Sequence, residues 1–397
     1  MLSASTITTV KQTVPLLEEA GTGITAHFYQ RMFRLNPELQ NVFNMSNQRD
    51  GRQQFALFNA IATYAKHIDN LPALGAMVER IAHKHTSLYI LPEQYDIVGH
   101  HLIETLREMV GEQFTPAVET AWREAYAFLA KIFIGREAEL YRSNEQAPGG
   151  WLGPKLFKVL DKRPESELVS SFRFAPVDGG PVVDYKPGQY LGVRIKAEGA
   201  EYFEIRQYSL SDKANGESYR ISVKREHNGG AGLVSNYLHD HLNVGDHVEL
   251  LPPAGDFFLR AVGSPTVLIS AGVGLTPMMS MLETIVDVHA NTSVLFLHAC
   301  ENRMQHSFAA RLEGLVDSQD LVDSYVWYNR GKVDAANNHF SGLMDLETIS
   351  DKLPLHEGEY YLCGPVGFMA FVKGQLLSLG VGGGRIHYEV FGPHSDL

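Results

Sequence analysis

Cysteine is nearly missing from this sequence: 397 residues hold only Cys300 and Cys363. Two thiols so far apart build neither a disulfide framework nor a zinc pattern. Long apolar runs are missing too, and no segment approaches the roughly 20 residues that a membrane-spanning helix needs. Lys and Arg form no block, and the formal net charge of -12 excludes bulk binding to a phosphate backbone. There is no internal repeat and no low-complexity tract. The first residues, MLSASTITTVKQTVPLLEEAG, contain no charged-then-apolar leader, so a reducing, cytoplasmic setting is expected.

What is present describes a globular protein: 44% hydrophobic and 20% charged residues. The chain is too long for one core, and two or three domains are expected. Up to about residue 143, apolar residues recur at helical spacing over 4–20, 24–35, 50–66, 73–87, 93–110 and 116–141. Breaks fall at Gly21, Pro37, Pro72, Pro92 and Pro116. A Pro/Gly-rich stretch, NEQAPGGWLG (144–153), follows. From Pro154 to about Ala261 the rhythm becomes alternation in KLFKVLDKR, LVSSFRFAPV, QYLGVRIKA, YRISVKRE and HVELLPP, which predicts a small antiparallel barrel or sandwich. From about Pro265 the apolar strands TVLIS, SVLFLHA and EYYLCG alternate with helical stretches, the pattern of a parallel α/β sheet. The expected division is an all-α domain at 1–146, a linker at 147–153, a β domain at 154–261 and an α/β domain at 262–397.

Leu74, Val78 and Ile81 mark an inward stripe, and His85 falls on its next step, whereas His83 points to the other side. A buried imidazole needs a partner, either a hydrogen bond or a metal. Other polar residues share inward stripes: Gln53 with Leu57, Ile61 and Tyr64; Tyr29 beside Phe28 and Met32; Tyr95 ahead of Val98, Leu102 and Leu106. Singly, a tyrosine there reads as core with its hydroxyl satisfied locally. Glu137 is harder to place, because it lies between Phe133 and Leu140 on a face shared with Trp122, Tyr126 and Leu129. A carboxylate there requires a donor, which Tyr95 or His85 can supply. Behind a metal-bound histidine, a carboxylate fixes the tautomer and strengthens the donor. One histidine without a Cys pair does not make a zinc or copper site, and a single axial imidazole in an apolar helical domain suits haem.

HFYQRMF with Tyr29, NPEL, VFNMSNQ with Phe43 and IAHKHTS with His85 make this segment resemble a globin, and the whole chain resembles the bacterial flavohaemoglobins. The resemblance implies that His85 is the proximal ligand of a haem b iron and that Phe43 packs on the haem. Tyr29 and Gln53 would face the bound gas, with Leu57 as their apolar neighbour. Lys84 would adjust the local potential; a solvated surface lysine is the alternative.

In the β segment, GQY (188–190) with Tyr190 precedes RQYS, which holds Arg206, Gln207, Tyr208 and Ser209. Arg suits a pyrophosphate by its fork, Tyr offers a flat face to an isoalloxazine, and Ser a hydroxyl to a ring nitrogen. GLVS, with Gly232, Val234 and Ser235, precedes a helical stretch whose free N–H groups suit a phosphate. Together these resemble the FAD-binding barrel of the ferredoxin–NADP reductase group.

The strand TVLIS runs into AGVGLTP, in which Gly272, Val273, Gly274 and Leu275 lead to Thr276 as a plausible N-cap and Pro277 as a first helical residue. The glycines would admit a pyrophosphate, although the motif is G-x-G-x-T-P and not G-x-G-x-x-G. YYLCGP ends a strand at Cys363, Gly364 and Pro365. The resemblance sets Cys363 near the nicotinamide; a buried structural thiol is the alternative. In the tail, Glu389, Val390, Phe391, Gly392 and Pro393 would lie against the flavin, with Phe391 covering its ring. Leu275 departs from the Gln that the resemblance implies at this position. No basic cluster follows SVLFLHACEN, and Glu301 disfavours a 2′-phosphate, so NADH is expected over NADPH.

The resemblance therefore implies an NAD(P)H-dependent nitric oxide dioxygenase, in which electrons pass through FAD to haem and NO with O2 becomes nitrate. A monomer without nucleic-acid or stable membrane partners is expected, its apolar distal pocket open to a lipid as well as to the two gases. Two rivals stand beside this: an oxygen-binding or sensing globin, and an NADH-dependent flavin or ferric reductase.

Overall fold

A computed structural model describes residues 2–45, 51–226, 233–260, 263–288, 291–331, 333, 337–392 and 397, with Arg52 by its backbone alone. The chain forms two compact units. One comprises Met1–Gln146, Trp151–Pro154 and Arg194–Arg206; the other comprises Ala147–Gly150, Lys155–Val193 and Gln207–Leu397.

The first unit is helical: α1 (Ala4–Gln12), α2 (Val14–Ala20), α3 (Thr22–Leu35), α4 (Arg52–His67), α5 (Gly75–Thr86), α6 (Pro92–Val110) and α7 (Pro116–Gln146). The helix expected over 4–20 is two helices. Pro15 has no N–H to give to a carbonyl one turn back, so the ladder breaks. Thr13 fills the break, its Oγ1 donating to Val10 O at 2.6 Å and accepting from Trp122 Nε1 at 3.0 Å. The helix expected to end at 141 runs on through Gln146, and Pro148 prevents its continuation. The inward stripes of α3, α4, α6 and α7 meet in a core that includes Phe28, Met32, Tyr64, Leu106 and Trp122.

Two sheets follow the helices, within the second unit except for their residues between 194 and 206. The first is antiparallel, in the order β4-β3-β6-β1-β2-β5. Its strands are β1 (Lys155–Pro164), β2 (Val169–Pro176), β3 (Tyr190–Ile195), β4 (Glu204–Ser209), β5 (Tyr219–Lys224) and β6 (His247–Ala254). A bridge between Leu210, just past β4, and Ile221 of β5 joins the two edges, which makes this a barrel and removes the exposed edges. Between β5 and β6 lies α8 (Leu233–Asp240).

The second sheet has the order β10-β9-β8-β7-β11-β12, and its pairs are parallel. It contains β7 (Thr266–Ala271), β8 (Val294–Cys300), β9 (Val322–Tyr328), β10 (His339–Ser341), β11 (Glu359–Cys363) and β12 (Ile386–Glu389). Helices α9 (Leu275–Asp287), α10 (Ala309–Ser318) and α11 (Val366–Ser378) cover it. The chain steps outward from β7 to β10, then returns to lay β11 on the other side of β7. That reversal opens a crevice at the carboxyl ends of β7 and β11, where Ser270 and Cys363 are register partners. Among the described residues, no helix is long and apolar enough to cross a membrane.

Candidate active site

The inward stripe of α5 brings His85 against α6 and α7. His85 Nδ1 lies 2.7 Å from Glu137 Oε1 and 2.8 Å from Tyr95 Oη, and the Tyr95 hydroxyl donates to the same Glu137 oxygen at 2.5 Å. Glu137 is only 3% exposed. Burial first, and then the Glu137 charge, push the Tyr95 phenol far above its ordinary range, so it remains a donor. A carboxylate at Nδ1 holds the imidazole proton there and leaves a lone pair on Nε2. Nε2 has no protein partner among the described residues, and the His85 side chain stays 31% exposed although its stripe faces inward.

The His85 ring lies against Tyr95 and Phe133, and elsewhere in the helical core large apolar side chains are only half-buried, among them Phe43, Leu57, Ile61, Ile81 and Val98. Among the described residues no group of three or more His, Cys, Asp or Glu could hold a bare metal ion. The residues therefore fit a metal that brings its own equatorial ligands and apolar bulk: one unpartnered imidazole nitrogen, backed by a carboxylate, in a helical core whose large apolar side chains are partly uncovered. Tyr29 is 4% exposed and packs its ring against Phe28, Phe33 and Phe43 at 5.0, 5.8 and 5.9 Å. Gln53 and Leu57 are half-buried on α4. Lys84 is half-buried in the last turn of α5. Residues 46–48 of the VFNMSNQ motif lie outside the described residues.

In the barrel, β4 carries Arg206, Gln207 and Tyr208 half-buried and Ser209 6% exposed. Alternation puts Arg206 and Tyr208 on one face and Ser209 on the other. Arg206 donates to Glu204 at 2.8 Å. The Leu210 N–H donates to Gln189 O at 2.9 Å, bringing the GQY and RQYS segments together. Tyr190 is 8% exposed, and a Cβ on Gly255 would come within 2.9 Å of its ring. Val234 and Ser235 are buried within the first turn of α8, which begins two residues earlier than the sequence pattern suggests. Gly232 and Pro393 lie outside the described residues.

At the crevice, the two glycines of GVG differ. Gly272 has φ of +55° and nothing within 4 Å of a Cβ, so it leaves open space at the strand end. At Gly274 a Cβ would stand 2.3 Å from Cys363 O; this glycine admits β11, and not a ligand. Thr276 is not the N-cap. Gly272–Gly274 forms a short turn, α9 begins at Leu275, and Thr276 Oγ1 donates to Val273 O at 3.0 Å. A hydroxyl that donates to a carbonyl is not accepting a free helix N–H, and Pro277 lies inside the first turn. Gly364 and Pro365 open α11 across the crevice. Cys363 is fully buried, and burial followed by Glu389 raises its thiol well above the ordinary value; burial pushes Cys300 up to about 12. Glu389 is the register partner of Cys363, Val390 is buried, and Phe391 is 43% exposed; Gly392 follows with φ of +136°. Glu301, past β8, is held by Arg330 at 2.8 Å and Asn329 at 2.9 Å, cation and amide that sequence distance conceals.

Residues 26–133 match the Globin family, 156–259 the Oxidoreductase FAD-binding domain and 268–374 the Oxidoreductase NAD-binding domain. A Flavohemoprotein of Vibrio cholerae is 53% identical over 399 residues, covering 100% of both chains. The chain belongs to the flavohaemoprotein family. A flavohemoglobin of Malassezia yamatoensis, solved with bound FAD and heme, superposes with a TM-score of 0.88 at 27% identity over 98% of this chain and 100% of its own. The FAD/NAD-binding domain of a Vibrio cholerae nitric oxide dioxygenase matches 60% of this chain and 99% of its own, at 48% identity and a TM-score of 0.57.

Several supports of this flavohaemoprotein's site escaped sequence reasoning. Tyr126 donates to Tyr95 O at 2.6 Å, and a Cβ on Gly99 would strike its ring at 2.3 Å. Glycine at 99 thus lets Tyr126 brace the helix that carries Tyr95. Arg136 grips both oxygens of Glu79 at 2.7 and 2.6 Å, joining α5 to α7 beside His85 and Glu137. Lys162 donates to the carbonyls of Leu238 and His239 at the end of α8 and of Leu242 just past it, at 2.6–3.3 Å. A glycine inside a helix stripe was the one visible signal among these.

Proposed function

We propose that this chain is an NADH-dependent nitric oxide dioxygenase that converts NO and O2 to nitrate. The observation that carries the reading is the His85 ring, tied at Nδ1 by Glu137 and Tyr95, with Nε2 free of protein partners among the described residues and the side chain still 31% exposed. Overall, two NO, two O2 and one NADH give two nitrate ions, NAD+ and a proton, so atoms and charge balance. Haem supplies a redox iron, and FAD converts a two-electron donor into single-electron steps.

His85 is the residue that holds the haem, Phe43 and Leu57 line it, and Tyr29 with Gln53 faces the gas. Glu137 keeps the proton of His85 on Nδ1, which makes Nε2 the stronger donor. Tyr95 orients that carboxylate. Tyr190, Arg206, Gln207, Tyr208 and Ser209 hold the flavin, with Val234 and Ser235 at its phosphate side. The crevice from Gly272 to Pro277 and from Cys363 to Pro365 takes the nucleotide, and Glu389, Val390, Phe391 and Gly392 border the flavin ring. Glu301 suits a ribose hydroxyl, which favours NADH, while the Arg330 guanidinium paired with it offsets its charge. The chain acts as a cytoplasmic monomer, and Lys84 adjusts the potential beside His85.

NADH oxidation in air, measured with and without NO, tests the proposal together with the absorption spectrum of the purified protein. Haem and flavin bands with NO-stimulated oxidation are expected; flavin bands alone with unstimulated oxidation refute it in favour of a reductase.

A further inference from the structure

Helix α9 leaves the Gly272–Gly274 turn and carries Glu283 and Asp287 one helical turn apart. Both meet the barrel. Glu283, 5% exposed at its side chain, lies 3.5 Å from Arg220 of β5 and 3.2 Å from Arg311 of α10. Asp212, three residues past Ser209, accepts from Arg173 at 2.6 Å and lies 3.8 Å from Arg220. Tyr185 Oη donates to Asp212 O at 2.5 Å. Arg220 also donates to Ser211 O, and Lys213 pairs with Asp287. Behind these charges, a Cβ on Gly188 would reach Met281 of α9 at 2.7 Å.

The segment from Ser211 to Lys213 follows the RQYS motif directly, and α9 follows the GVG turn directly. One charge cluster therefore joins the segment after RQYS to the helix that the GVG turn begins. Buried ions gain little net stability over apolar packing, because desolvation offsets their attraction. Their geometric demand differs: an apolar joint can slide, whereas a guanidinium between two carboxylates accepts few positions.

We propose that the Arg220–Glu283 joint, with Asp212 and Arg173, sets the register between the flavin and the nicotinamide, making these positioning residues for hydride transfer. The inference rests on the cofactor assignment above. In that step a hydride, one proton with two electrons, leaves the nicotinamide carbon for a flavin nitrogen. The products are NAD+ and reduced flavin, which takes its second proton from solvent. A small misplacement of the two rings costs about a hundredfold in such a transfer.

The test is stopped-flow reduction of the flavin in the full protein at rising NADH, comparing wild type with Glu283→Gln and Arg220→Lys. In Glu283→Gln the limiting rate is expected to fall about ten- to hundredfold, with NADH half-saturation changed by less than about twofold because the nucleotide's own contacts remain. The long-wavelength absorbance of NAD+ stacked on reduced flavin should shrink, and amide exchange along α9 should quicken even without nucleotide. Arg220→Lys, which keeps the charge and loses the fork, should fall between the two. A wild-type limiting rate in either variant overturns the proposal, as does a loss explained by lost FAD or by raised half-saturation alone. A wild type that NADH does not reduce refutes the cofactor assignment itself; normal reduction in all three proteins refutes the joint alone.

Discussion

Replacing Glu137 by glutamine preserves volume and removes one charge from a carboxylate that is 3% exposed. That carboxylate accepts from Tyr95 at 2.5 Å and faces His85 Nδ1 at 2.7 Å. A hydrogen bond to a charged group contributes about 1.5–3 kcal/mol and a neutral one about 0.5–1.5, so the two weakened bonds lose about 2 kcal/mol together. An amide NH2 turned toward the ring would also face Nδ1–H, donor against donor. Loss of a partner behind a metal-bound histidine costs about 10–100-fold, and about 2 kcal/mol lies within that span, since tenfold is about 1.4 kcal/mol. NO consumption per haem should therefore fall about 10–100-fold in Glu137→Gln. Resonance Raman spectra of the ferrous protein should show the iron–histidine stretch at lower frequency, reporting a weaker donor. Turnover within about twofold of wild type, together with an unmoved stretch, would show that the carboxylate does not act through His85.

Three further outcomes are expected. Tyr29→Phe removes a hydrogen bond of about 1 kcal/mol, so O2 should dissociate about fivefold faster in stopped-flow and NO consumption should drop; an unchanged dissociation rate takes Tyr29 out of the pocket. Gly99→Ala brings a methyl within 2.3 Å of the Tyr126 ring, overpacking that costs about 1–3 kcal/mol. The melting temperature of the helical half should fall, and a rise would show that Tyr126 moves freely. Burial holds His298 well below its ordinary value and His306 at about 4. The unfolded chain binds those protons near pH 6.5 while the folded chain refuses them, so stability declines as pH drops from about 6.5 toward 4, by about 1.4 kcal/mol per unit for each histidine. Urea midpoints of the reductase half between these pH values measure the slope. An equal slope in His298→Phe would assign it to other groups.

Helices and strands were legible wherever a local period decides them. The stripes through His85, Tyr95 and Glu137 could be read as inward-facing because a helix repeats its faces every three or four residues, whatever surrounds it. The break at Thr13 was missed because Pro15 competes with an otherwise continuous stripe. Strands β9 and β10 and the short β12 carry too little alternation to stand out, and they exist because an edge of the growing parallel sheet offers them partners. The Thr276 cap was misjudged because a threonine before a proline looks alike whether its hydroxyl accepts or donates.

By itself the sequence determined the order of an all-α, a β and an α/β segment, and the side of each element that must be hidden. Periodicity and motif spacing are properties of neighbours along the chain, and they survive without knowledge of the fold. Only the tertiary structure decided that Gly274 yields to Cys363, that Gly99 yields to Tyr126, and that Arg220 meets Glu283. Those pairings join residues far apart in sequence, and each depends on the distance between packed backbones, which no local pattern encodes.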